Sequence, residues 1–307
     1  MPLHLDTPLL RSRKLSLLSG RDVWLKLDAL QPSGSFKLRG IGAACEEYKR
    51  QGNTGFVSSS GGNAGLAVAY AGRMLGVPVT VVVPESTPLH ARGLLEEEGA
   101  TVIVHGKVWA EANELAQSLL DEATAFLHPF DNPLMWTGHA TMIDEVVRAG
   151  VEFDGVILSV GGGGLLSGVA EGLDRNGLSH LPIVAVETQG ADCLARALAA
   201  GENISIPAIT SVATSLGANR VADHAFALAQ SRNLRSVTVT DAEALEACEL
   251  FLHDHRVLVE PACGASLAIA YSERHRSALD GIGAPLVIVC GGATATLEKV
   301  REWRAAA

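Results

Sequence analysis

Short, continuously apolar runs alternate with helix-forming runs along almost the whole of this chain of 307 residues. A strand of that kind has no polar face to offer water, so it must be covered on both sides. The helices between such strands supply both the cover and the crossover of a parallel sheet. A first block has strands expected at 56–58, 79–83, 101–105 and 125–128, with helices at 38–50, 63–75, 89–98 and 109–122. Gly76 and Gly99 stand where two of these helices should stop, and Pro84 closes the second strand. After residues 129–133 the alternation resumes, with strands at 156–160, 183–187, 237–239 and 286–290. The expectation is an α/β protein of two domains, each a mostly parallel twisted sheet flanked by helices, divided near residue 131. Residues 200–219 are the least regular part, and neither repeats nor low-complexity segments occur.

Composition narrows the function classes. The net charge is −10, from 34 acids against 24 bases, and the bases form no block, which argues against a nucleic-acid partner. No run reaches the ~18 apolar residues of a membrane-spanning helix, and residues 1–18 lack the apolar core of a signal peptide. The five cysteines make no Cys-x-x-Cys pair and are odd in number, as expected of a reduced, cytoplasmic protein. Glycine is frequent, at 32 residues, and it clusters in turns.

Four turns carry the chemistry. The first is Gln31-Pro-Ser-Gly-Ser-Phe-Lys-Leu-Arg-Gly40, with Lys37 at the head of a helix. The positive end of the helix dipole disfavours a cation there, which suits a lysine used uncharged, as an imine-forming amine. A solvated lysine beside Arg39 is the plainer alternative. The second is Ser58-Ser-Ser-Gly-Gly-Asn-Ala-Gly65, between a strand and a helix. Its free N–H groups could bind a carboxylate and the Asn63 amide a hydroxyl; alternatively Ser59 or Ser60 simply caps the helix. The third, Val160-Gly-Gly-Gly-Gly-Leu-Leu-Ser-Gly168, suits a phosphate wrapped by main-chain N–H groups. A dinucleotide site is its rival, with Gly162, Gly164 and Ser167 in a loose G-x-G-x-x-G spacing and Glu187 as ribose acceptor, but it leaves Lys37 and Asn63 idle. The fourth, Val287-Ile-Val-Cys-Gly-Gly-Ala-Thr294, ends a strand on Cys290, which is either core packing or a neutral hydrogen-bond partner.

Taken together, and in this order, these pieces resemble the pyridoxal-phosphate (PLP) dependent serine/threonine dehydratases of the tryptophan-synthase-beta superfamily, of fold type II. The resemblance runs from Thr7-Pro-Leu to Cys290-Gly-Gly and includes Pro129-Phe-Asp, Glu187-Thr and Val259-Glu-Pro-Ala-Cys263-Gly. It implies that Lys37 holds PLP, with Phe36 beside the ring. Gly161, Gly162, Gly163, Gly164 and Leu165 would bind the phosphate, Asn63 would meet the ring hydroxyl, and Cys290 the pyridine nitrogen. Amides of Ser59, Ser60, Gly61, Gly62 and Asn63 would hold the substrate carboxylate. A monovalent cation such as K+ would sit among Gly161, Glu187, Ala191, Leu216 and Ala218. Residues 1–34 and 132–307 would form the large domain, and 35–131 the small one. A homodimer is implied as well. The implied activity is that of an ammonia-lyase of class 4.3.1: removal of water from L-serine, and from L-threonine, giving pyruvate or 2-oxobutanoate and ammonia. Lys37 would be the general base.

Other candidates weaken on inspection. His253 and His255 are two apart on a predicted helix, so they face different ways and make a poor metal pair. Trp109 and Trp136 read as packing, and Cys263 receives no chemical role. A nucleotide-binding regulator using only the Gly161 loop is the non-catalytic alternative. Serine racemases of the same superfamily use a serine two residues before the motif asparagine. Here that position is Gly61, so racemisation should be slow beside elimination, and the missing side chain should leave room against the cofactor.

Overall fold

The computed structural model describes residues 1–306. Its strands are β1 (Leu9–Arg11), β2 (Trp24–Lys26), β3 (Gly55–Ser58), β4 (Val79–Val83), β5 (Thr101–Val104), β6 (Thr124–Phe126), β7 (Gly155–Ser159), β8 (Ile183–Thr188), β9 (Leu234–Val239) and β10 (Pro285–Ile288). Its helices are α1 (Arg13–Ser19), α2 (Lys37–Arg50), α3 (Asn63–Leu75), α4 (Leu89–Glu97), α5 (Trp109–Ser118), α6 (Pro133–Arg148), α7 (Gly164–Arg175), α8 (Cys193–Ala200), α9 (Asp223–Ser231), α10 (Asp241–His255), α11 (Pro261–Tyr271) and α12 (Leu297–Ala306). The α/β class and the alternation are as expected. Strands β1 and β2 are additional; at three residues each they are too short to leave a periodic signal.

Two sheets result. One has the order β5-β4-β3-β6 and is parallel throughout. The other has the order β1-β2-β10-β7-β8-β9, parallel except for the β1–β2 pair at its edge. It draws strands from both ends of the chain, because β2 pairs with β10. Every residue of β3, β7, β8 and β10 is buried, as continuous apolar strands covered on both faces require. Burying one Val, Leu or Ile side chain stabilises by roughly 1.5–3 kcal/mol, so each central strand is a strong determinant of the fold.

The helices end where the chain supplies a stop. Gly76, in the left-handed conformation (φ 66°), terminates α3. A Thr240 and Glu243 capping box opens α10. Helix α2 leans on α6 where Gly40 and Gly138 allow close approach; a Cβ on Gly40 would lie 2.5 Å from the Met135 carbonyl oxygen. In a parallel sheet, turns at the carboxyl ends of the strands gather on one edge. In the first sheet that edge receives residues 59–62 after β3, and in the second it receives 160–163 after β7 and 289–292 after β10.

Candidate functional site

The first and fourth turns, more than 250 residues apart, are stitched together by backbone. Phe36 N–H donates to the Cys290 carbonyl at 3.0 Å, Gly292 N–H to the Gly34 carbonyl at 2.9 Å, and Ala29 N–H to the Val289 carbonyl at 2.8 Å. Gly291 (φ 93°) has no room for a side chain, because a Cβ would lie 2.7 Å from Ala29 Cα. Lys37 and Cys290 are thereby held on facing walls.

Lys37 is the first residue of α2, and no side chain caps that helix start. Its Nζ donates to the Pro129 carbonyl at 2.5 Å and stands 5.1 Å from the centre of the Phe36 ring. Part of the side chain reaches solvent, but protein crowds the amine itself. That desolvation pushes it down to about 8, against the opposing pull of Cys290 and Glu260. Roughly a tenth of such an amine is neutral at pH 7, far more than of an ordinary lysine, and a covalent, proton-abstracting lysine needs that neutral form.

In the second turn neither serine caps α3: the N-cap is Gly62, which has no side chain to do so. Ser59 Oγ instead donates to Asn113 Oδ1 at 2.8 Å. Asn63 Nδ2 donates to Glu260 Oε1 at 2.7 Å, and Asn63 Oδ1 accepts from Ala293 N–H at 3.0 Å. Gly61 behaves differently from expectation. A Cβ there would not find open space but would meet the Thr87 side chain (2.7 Å to Cγ2) and Val83.

The third turn shows why it is all glycine, and the reason is not the anion. A Cβ on Gly162 would strike the Phe130 ring, one on Gly163 the Ala225 side chain, and one on Gly161 the Leu216 backbone at 2.9 Å. The sides of the loop are filled by protein. Its carbonyls are spent as well: Gly162 accepts from Ala222 N–H at 3.0 Å and Gly163 from Ser167 N–H at 2.9 Å. Among the described residues no protein acceptor meets the N–H groups of Gly161 to Leu165. A row of unpaired donors at the start of α7 is an anion cradle, and it fits a phosphate.

Cys290 is buried, and its thiol is pushed well up by a hydrogen bond with Cys263 and by burial. It is therefore a neutral partner rather than a thiolate nucleophile. Glu187 does not wait for a ribose. Its carboxylate accepts the Leu194 and Ala195 N–H groups at 2.8 and 2.7 Å, capping α8, and burial pushes it up to about 7. The Cys193 thiol, close beside Glu187, donates to the Gly161 carbonyl at 3.6 Å. Ala191 and Leu216 are buried nearby, and Ala218 N–H donates to the Leu216 carbonyl at 2.8 Å.

Three parts of the site have roles that the sequence did not assign. Residues 128–131 bridge the lysine and the glycine loop, since Pro129 holds Lys37 and Phe130 packs on Gly162 and Gly164. The turn is held by His128 Nδ1, which accepts from Asp131 N–H at 2.8 Å. His139 is buried with both ring nitrogens unpartnered, 4.8 Å from the Phe36 ring. Glu260 is buried beside Asn63, and desolvation pushes it up to about 7. Two of the three left traces, in Pro129-Phe-Asp and in Val259-Glu-Pro-Ala, where Glu before Pro reads as a helix start. His253 is exposed and pairs with Asp254, while His255 meets Ser12 Oγ at 2.8 Å; the two do not converge. Trp136 packs on His224 at 4.2 Å, and Trp109 is exposed.

Residues 1–291 match the family model described as pyridoxal-phosphate dependent enzyme. The human protein named L-serine dehydratase/L-threonine deaminase is 47% identical over 309 residues, covering 98% of this chain and 94% of its own. Among solved structures, a fungal L-serine ammonia-lyase from Rhizomucor miehei superposes with a TM-score of 0.94 at 33% identity, covering 99% of each chain. Maize serine racemase gives a TM-score of 0.89 at 26% identity, covering 97% of this chain and 91% of its own.

Proposed function

The chain belongs to the pyridoxal-phosphate dependent enzymes, and from that premise we propose which of its residues do the work. The protein is an ammonia-lyase that eliminates water from L-serine and L-threonine, leaving pyruvate or 2-oxobutanoate and ammonia. When bound, PLP supplies a sink for the electrons released at the substrate α-carbon.

Lys37 carries the cofactor and then, as a neutral amine, takes the α-proton. The observation that carries this assignment is its position: an amine pushed down to about 8, facing Cys290, and linked through Pro129 and Phe130 to a loop of unpaired donors. The N–H groups of Gly161 to Leu165 hold the phosphate, and Phe36 packs beside the ring. Asn63 donates to the ring oxygen. Cys290 faces the ring nitrogen as a neutral thiol, so it does not hold that nitrogen protonated as a carboxylate would. The amides of Ser59 to Asn63 hold the substrate carboxylate.

Glu187 is a buried carboxylate with no Lys or Arg partner among the described residues. A monovalent cation such as K+, placed among Gly161, Glu187, Ala191, Leu216 and Ala218, would balance it. Residues 35–131 act as a small domain that carries the substrate loop, against a large domain of 1–34 and 132–307. The protein works as a cytoplasmic homodimer. Five buried, unpaired cysteines support a reducing compartment, and no described helix is long and apolar enough to cross a membrane.

The absorbance spectrum of the purified protein, followed by borohydride reduction and peptide mapping, tests the assignment. A visible pyridoxal band and a label on Lys37 are expected. A colourless protein retaining a nicotinamide, or a label on Lys26 or Lys49, would sink it.

A further inference from the structure

Glu260 sits at the head of α11, yet its side chain does not cap that helix. It turns the other way, into the site, and has no ion-pair partner among the described residues. Its Oε1 accepts from Asn63 Nδ2 at 2.7 Å and its Oε2 from Thr294 Oγ1 at 3.3 Å. The space it occupies is reserved by Gly292 (φ 138°), where any Cβ would overlap the carboxyl group.

These bonds decide which way the Asn63 amide points. Ionised or protonated, the Glu260 carboxyl keeps an acceptor oxygen for the NH2 end. A backbone N–H can only donate, so the oxygen end must face Ala293, at 3.0 Å. The second Nδ2 hydrogen has only a long contact, 3.4 Å, to Ser215 Oγ. It is the one side-chain donor hydrogen of Asn63 still available for a stronger partner. Asn63 also begins α3 and closes the loop 59–62, whereas Glu260, Ala293 and Thr294 belong to the wall that carries Cys290.

We propose that Glu260 is a positioning residue: it locks Asn63 with a donor turned toward the cofactor oxygen, and by the same bond it ties the substrate loop to the opposite wall. This rests on the assignment of the cofactor ring to the space between Asn63 and Cys290. The loop tie does not need the cofactor and can be measured without it.

The experiment uses hydrogen exchange of the full-length apoprotein, together with KM for L-serine and the cofactor spectrum of the loaded enzyme. Glu260→Ala should raise KM about tenfold and speed exchange at residues 60–66 by a similar factor, as expected when a buried amide loses its acceptor. Glu260→Gln keeps an acceptor for Asn63, and its NH2 can donate to Thr294 Oγ1, so both readouts should stay within about threefold of the parent. Asn63→Asp sets two acceptors against each other and should behave like Glu260→Ala. Combining Asn63→Asp with Glu260→Gln reverses donor and acceptor across the same gap. The double variant should recover exchange protection but not the parent spectrum, because no donor faces the ring oxygen. A double variant that stays unprotected, or a Glu260→Gln variant as impaired as Glu260→Ala, would overturn the proposal. So would a Glu260→Ala variant that merely melts earlier with exchange and KM unchanged. Loss of the pyridoxal band alone, with the exchange pattern as expected, would count against the cofactor assignment and not against the tie.

Discussion

Two buried clusters of charge lie within reach of the first turn of α2, and they are built on opposite rules. Behind the helix, Arg39 meets Asp28 at 2.6 and 2.9 Å and Glu145 at 2.8 Å, and Lys26 pairs with Glu145. Thr7 takes up what is left, accepting from Lys26 Nζ at 2.7 Å and donating to Asp28 at 2.7 Å. Two cations balance two anions. In front of the helix Lys37 and Glu260, and behind the glycine loop Glu187, have hydrogen bonds but no ion-pair partner among the described residues. Desolvation then moves each toward neutrality, Lys37 down to about 8 and the two glutamates up to about 7. Only one residue separates Lys37 from Arg39, so burial alone does not make a working group. The balanced cluster fixes where α2, α6, β2 and the N-terminal segment meet; the unbalanced charges are poised to change protonation.

The sharpest way to break this contrast is to remove one member from each cluster. Lys37→Ala should lower the elimination rate by about 10⁴-fold or more, since both covalent and base roles are lost. Its apoprotein should melt no earlier than the parent, because a desolvated amine has been removed. Pyruvate formation and calorimetry check the two halves. Arg39→Met should do the reverse. It leaves Asp28 and Glu145 with one cation between them, and should cost about 3–5 kcal/mol in urea unfolding. Activity per folded molecule should fall far less than in Lys37→Ala. Equal activity losses in the two variants would show that the balanced cluster shares in the chemistry.

Gly163→Val comes next. The sequence suggests that a side chain there would block the anion, and hence weaken cofactor binding far more than stability. The structure requires both to fall, because Gly163 has φ 92° and its Cβ would overlap Ala225. Unfolding in the absence of PLP measures one loss and PLP titration the other; an unchanged apoprotein stability would contradict the packing account.

This glycine shows what was legible and what was not. Local rules sufficed for α3, which starts at Asn63 and stops at Gly76, for β4 before Pro84, and for Lys37 at a helix start. They could not show that Phe130 and Ala225 fill the sides of the glycine loop, since those contacts cross 30 to 60 residues of chain. Glu260 was hidden by its neighbour, because Glu-Pro opens helices for reasons unconnected with ligands. The stitch between residues 34–36 and 290–292 is pure backbone and leaves no mark in side-chain pattern.

A smaller effect separates Glu260 from the balanced cluster through pH. Its folded-state carboxyl titrates above an unfolded glutamate, so its contribution to stability is fully present below about 4.5 and is lost as pH rises through about 7. The apoprotein should therefore lose stability across that window, by up to ~1.4 kcal/mol per pH unit from this group. Glu260→Gln should flatten the slope, which urea titrations at a series of pH values would show. An unchanged slope would mean that Glu260 is already neutral, or ionised, throughout.

The smallest effect expected concerns Gly61. Maize serine racemase shares this fold at a TM-score of 0.89, so the fold alone does not choose between elimination and racemisation. On the family resemblance the racemases' far-face serine would correspond to Gly61, and adding a hydroxyl there looks from sequence like a direct conversion. The backbone says otherwise. At Gly61 a Cβ would lie 2.7 Å from Thr87 Cγ2 and 3.2 Å from Val83 Cγ1, so an added side chain is crowded by the turn itself. The new side chain would press on Thr87 and Val83, and that crowding works against a fixed placement of its hydroxyl. Gly61→Ser should consequently shift KM for L-serine by no more than a few-fold, as the Thr87 side chain gives way, and should leave D-serine a minor product beside pyruvate. Thr87→Gly in the same chain should relieve the crowding and return KM toward the parent without creating racemisation. Chiral chromatography of the serine reaction decides the matter. D-serine formed by Gly61→Ser at a rate comparable with pyruvate would show that this turn can swing its side chain onto the far face.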